Sequence, residues 1–79
     1  MLEHFLRYSL AHGRAIRVIL MKEGVMSART ITVLSFDDSV IAYRAGARGK
    51  SQQMDRADLL SASYARGDQG SLEEGHNQP

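Results

Sequence analysis

The chain has 79 residues, 43% of them hydrophobic and 24% charged, with no cysteine and a formal net charge of +1. A length like this makes one small domain, and the missing cysteines exclude disulfide staples and thiolate zinc sites, so stability rests on a single modest core. The longest apolar run, Val18–Met21, is too short to span a bilayer, and His4, Arg7, Arg14 and Arg17 interrupt any signal-peptide core, so the expectation is a soluble, cytoplasmic protein.

In chain order, Leu2–His12 reads as a short amphipathic helix, with Leu2, Phe5, Leu6, Ser9 and Leu10 at helical spacing on one face. Gly13 suits the left-handed position that ends it. Ala15–Met21 is predicted as the first strand, in which Ile16, Val18 and Leu20 make an apolar face while Ile19 and Met21 share the face of Arg17. Lys22–Ala28, around Glu23-Gly24, reads as a loop. Arg29–Ser35 and Ser39–Ala45 flank an Asp37-Asp38 turn and form the strongest hairpin signal in the chain. In that hairpin Ile31 and Val33 face inward with Thr30 and Thr32 outward, and Ile41 and Tyr43 lie opposite Val40 and Ala42. Gly46–Gly49 is a glycine-bearing turn, Lys50–Met54 a polar fourth strand, and Asp55–Asp58 a single helical turn with Asp55 placed to cap it. Leu59–Ala65 is the last strand, with Leu60, Ala62 and Tyr64 on one face. From Arg66 the chain is polar and glycine-rich, which predicts a domain over residues 1–65 and a flexible tail over 66–79.

Five short strands behind one helix, in so short a chain, predict a mainly β fold: a strongly bent sheet closed into a small barrel. The element order resembles the Sm-like branch of the SH3-like barrels, where a helix precedes five bent strands and a 3₁₀ turn separates the last two. Within that branch, Gly13-Arg14 before an apolar strand, Val40-Ile41-Ala42-Tyr43, and Asp55-Arg56 followed by Leu59-Leu60 resemble the WYL domains of bacterial regulators. Ser35-Phe36-Asp37 is similar to the end of the second strand in the bacterial Sm-like RNA chaperone. Val40–Tyr43 holds one aromatic where a Trp-Tyr-Leu triplet names the WYL family, and Met54-Asp55-Arg56 stands where the chaperone has Tyr-Lys-His. The resemblance implies a small regulatory module and, from its runner-up, RNA as a ligand.

The chemistry with most weight is basic. Residues 1–50 carry eight Lys/Arg against four Asp/Glu, whereas residues 51–79 carry two against five. A basic body with an acidic end fits a polyanion partner, and it equally fits an ordinary solvated surface. Arg44, Arg48 and Lys50 cluster around two glycines, where backbone amides can approach an anion closely. With Arg14, Arg17 and Arg56 folded nearby they would suit a phosphodiester backbone, and Tyr43 would supply a stacking ring. The bland alternatives are a solvated turn and a core tyrosine.

Other motifs carry less. Gly49-Lys50-Ser51 ends like a phosphate-binding P-loop, but the glycine required five residues earlier is Arg44, and too little chain follows for that fold. Arg66-Gly67-Asp68 reads as a chance tripeptide. His4, His12 and His76 form no metal set, and no serine has a predicted base beside it, so neither a cofactor nor catalysis is expected. Two functions remain: a module that binds nucleic acid or a nucleotide-like anion, and an interaction or self-assembly module that binds neither. Unpaired edge strands favour a homo-oligomer.

Overall fold

A computed structural model describes residues 2–46 and 49–68. Helix α1 (Leu2–His12) leads into β1 (Ile16–Lys22), β2 (Val25–Phe36), β3 (Val40–Arg44) and β4 (Ser51–Asp55), then a 3₁₀ turn (Arg56–Asp58) and β5 (Leu59–Tyr64). The fold is mainly β, as expected: all five strands pair antiparallel in one sheet of order β4-β3-β2-β1-β5, and the four ladders leave β4 and β5 as its edges. No helix among the described residues is long and apolar enough to cross a membrane.

Strand β2 joins the two halves of the sheet. Its first part, Val25–Ile31, pairs with β1, and its second, Thr32–Phe36, pairs with β3. The predicted loop over 22–28 shrinks to the pair Glu23-Gly24, at φ 54° and 79°, and pairing runs right up to Lys22 opposite Val25. Positive φ at both central residues gives the turn the twist of the strands it joins, so nothing forces them apart. At the other hairpin the Asp37 carboxylate accepts the Ser39 and Val40 amides, each at 2.8 Å, which closes the turn read from Asp37-Asp38.

Period-two alternation supplies the core. Ile16, Val18 and Leu20 of β1, Ile31 and Val33 of β2, and Ile41 and Tyr43 of β3 are all buried, joined by Met54 and Leu59 and covered by Leu6 and Tyr8 of the helix. The last strand departs from its predicted face. Ile19 pairs with Ser61 but Leu20 pairs with Leu59, so Leu60 is the extra residue of a bulge. Leu59 therefore takes the core position, and Leu60 stands 47% exposed.

The helix keeps most of its predicted inner face, with Leu6 and Ser9 buried and Leu2 and Phe5 packed against the core, but Tyr8 is buried as well and Leu10 is 44% exposed. Tyr8 sits inward because its hydroxyl donates to both oxygens of the Asp68 carboxylate, at 2.7 and 2.8 Å, while its ring meets Tyr64 edge-on. A buried tyrosine needs such a partner for its polar end. Asp68 is thus held against the helix, beyond the predicted domain end at residue 65; residues 69–79 of the predicted tail lie outside the described residues. Asp55 precedes the 3₁₀ turn as expected, but its side chain makes no capping bond.

Ser9 ties helix to sheet. Its hydroxyl accepts the Val33 amide at 2.8 Å and donates to the Arg14 carbonyl at 2.6 Å. Val33 lies past the end of β1, so its amide has no ladder partner on that side, and a buried amide without one is costly. The Arg14 amide bonds back to the Ser9 carbonyl around Gly13, at φ 63°, which completes a Schellman end to α1.

Candidate functional site

Directly opposed residues on neighbouring strands share a face. The registers therefore place Ser51, Arg44 and Thr32 in one row over β4, β3 and β2, and Thr30, Arg17 and Ser63 in another over β2, β1 and β5. Both rows lie on the outer face, since their sequence neighbours Ile16, Val18, Ile31, Val33 and Tyr43 are the buried ones. Near the middle of β2, the β1 ladder ends at Ile16–Ile31 and the β3 ladder at Arg44–Thr32. The flanking chain turns away there on both sides and leaves a groove of about 410 Å³ lined by Arg14, Thr30, Thr32, Arg44 and the backbone around Gly13 and Gly46.

Two of the predicted residues, Arg14 and Arg44, thus meet in one groove although they lie 30 positions apart in sequence. Ser9 and the Schellman turn fix the backbone that carries Arg14. Arg44 is half-buried, and its Nε is fully buried with no hydrogen-bond partner among the described residues. A guanidinium whose remaining nitrogens face a groove binds a phosphate or carboxylate well. Among the described residues no carboxylate lines the groove; hydroxyls of Thr30 and Thr32 do. The C-terminal end of α1 contributes partial negative charge that offsets some of the field of Arg14.

The other predicted residues divide. Arg17 is exposed and pairs with Thr30, so it stands beside the groove on the same face. Lys50 is exposed and directly precedes Ser51, the partner of Arg44, which keeps it at the same end of β3. Arg48 lies outside the described residues. Tyr43 is excluded as a stacking ring: it is 4% exposed on the inner face, its hydroxyl accepting from Arg29 at 3.4 Å and facing Gln52 at 3.3 Å.

Arg56 does not reach this groove, because it sits at the opposite end of β3. Its guanidinium donates to the Asp37 carbonyl at 3.0 Å and to Glu3 at 3.3 Å, approaches Asp38 at 4.0 Å, and lies over the Phe36 ring. These contacts make it a clamp between the helix start and the β2–β3 turn. Hydrogen bonds from Arg56, then the charge and hydrogen bond of Arg7, hold the Glu3 carboxyl below its usual range. The Ser39 and Val40 amides do the same for Asp37. Gly49-Lys50-Ser51 runs into strand β4, so no helix follows to present amides to a phosphate.

Thr30 and Thr32 are the groove residues that sequence reasoning gave no role. Their outward alternation was the available signal, but only the cross-strand register shows that they lie between the arginines. No protein family matches the chain, and neither does any curated protein or solved structure.

Proposed function

We propose that the chain is a small, non-catalytic, cytoplasmic regulatory module whose outer-face groove binds the phosphate of a nucleic acid or of a nucleotide-like anion. The observation that carries this reading is that Arg14 and Arg44 line one groove together with Thr30 and Thr32, and that no carboxylate lines it among the described residues. Arg17 and Lys50 extend the positive field around it. The helix, the five strands and the 3₁₀ turn before the last one support the resemblance to the Sm-like and SH3-like barrels, WYL-type domains first and the bacterial RNA chaperone second.

The test is the salt dependence of binding to a mixed oligonucleotide pool. Each phosphate contact contributes about −0.9 to the log–log slope on duplex DNA and about −0.7 on single strands. Arg14→Gln with Arg44→Gln should flatten the slope by roughly 1.5 and weaken all sequences alike, because phosphate contacts carry no base information. Binding without salt dependence, or a double variant that keeps the wild-type slope, would refute the groove.

A second reading, a self-assembly or protein-interaction module without nucleic-acid binding, draws on the edges. Among the described residues β4 and β5 each have a strand on one side only, and β4 exposes Ser51, Gln52, Gln53 and Asp55 without a proline to block pairing. It expects a homo-oligomer; sedimentation of a strict monomer at high concentration rejects it.

A further inference from the structure

The outer face holds a second feature next to the arginine row. Ile19 and Ala28 are a directly opposed pair, and Met21 and Met26 are the next pair on the same face. Ile19, Met26 and Ala28 line a shallow, almost wholly apolar hollow of about 190 Å³ with Ser27, and Met26 is 60% exposed. Along their strands, Ile19 is two residues from Arg17 and Ala28 is two residues from Thr30. Same-face neighbours in a strand are about 6.7 Å apart. A strip of cations and hydroxyls therefore runs beside an apolar shelf at roughly the distance separating a nucleotide's phosphate from its base.

We infer that the shelf is a base-binding platform: a single-stranded nucleic acid lays its backbone along Arg17, Thr30, Thr32 and Arg44 and rests a base against Ile19, Met26 and Ala28. This inference rests on the reading of the groove as a phosphate site. It commits to a single strand because a base inside a duplex presents only its edge, whereas the shallow apolar hollow takes an unstacked ring. The thioether of Met26 is polarizable and conformationally free, which suits an aromatic face of variable size. With Tyr43 in the core, base contact falls to aliphatic side chains, and they discriminate weakly between bases. The charge beside the shelf argues for this occupant over an uncharged peptide.

The experiment compares two labelled probes of equal length and charge, an oligothymidylate and the corresponding abasic phosphodiester, against the full chain by fluorescence anisotropy. Wild-type protein should bind the base-bearing probe about tenfold more tightly. Met26→Ser should abolish that preference and leave the salt slope unchanged. Val25→Ser should leave the preference intact, since Val25 is more exposed still, at 67%, but pairs with Lys22 on the other face. Equal affinity of the wild type for both probes overturns the shelf and leaves the phosphate groove standing. Loss of preference in Val25→Ser as well reduces it to general stickiness and also overturns it. Binding of neither probe overturns groove and shelf together, and capture by anionic vesicles alone assigns the face to a membrane surface instead.

Discussion

Replacing Ser9 by Ala tests the joint between helix and sheet. Ser9 is fully buried and its hydroxyl makes two bonds, one from the Val33 amide and one to the Arg14 carbonyl. The two losses are unequal. Val33 is 2% exposed and its amide has no β1 partner to fall back on, so the variant leaves a buried donor unsatisfied. Such a group costs about 1–3 kcal/mol. Arg14 is exposed, so water replaces the hydroxyl at its carbonyl at little cost. The vacated space is smaller than a water molecule, so no solvent enters to rescue the amide. The expected destabilisation is then about 2 kcal/mol, against a total of roughly 4–12 kcal/mol for a domain of this size. At about 4–8 °C per kcal/mol, the melting temperature falls by roughly 8–16 °C. Urea and thermal unfolding followed by circular dichroism read it directly. A loss within ~0.3 kcal/mol would show that the hydroxyl is not the acceptor that the Val33 amide depends on.

Further substitutions test the register and the charges. Leu59→Ala should cost about 2–5 kcal/mol as a core truncation, whereas Leu60→Ala should stay within about 0.5 kcal/mol; the reverse order in chemical unfolding would remove the bulge in β5. Val18→Asp buries a charge where Val18 is fully enclosed by the core, costing several kcal/mol and leaving no cooperative melt; a folded variant would put β1 one residue out of phase. The carboxyls of Glu3 and Asp37 titrate lower in the folded chain than in the unfolded one. Their stabilisation is therefore complete above the ordinary carboxylate values, 4.5 and 3.8, and is lost as pH falls through the lower folded ones. Melting temperature should fall on acidification below about pH 4.5, and Glu3→Gln with Asp37→Asn should flatten that limb, since Asn still accepts the turn amides. An acid limb that runs parallel in the double variant would assign it to other groups.

What the sequence determined by itself is local. Alternation at Ile16–Leu20, Ile31–Val33 and Ile41–Tyr43 set the inward residues, because a strand's period of two leaves only one face free for the core. Gly13 and Asp37 announced a helix end and a turn through conformations and side-chain bonds reaching only a few residues. The tertiary structure decided everything that needs a partner far along the chain. Tyr8 displaced Leu10 from the buried face because Asp68, 60 residues on, takes its hydroxyl. Leu60 lost its core position to Leu59 because pairing with β1 carries a bulge that no local pattern encodes. Arg56 was claimed by Glu3 and Asp37 at one end of β3, while Arg14 and Arg44 met at the other. The alternation that made Tyr43 a core residue also set Arg44 outward, but its neighbours there, Thr32, Thr30 and Arg17, follow only from the strand register. Register is a property of pairs of strands, and no single stretch of sequence contains it.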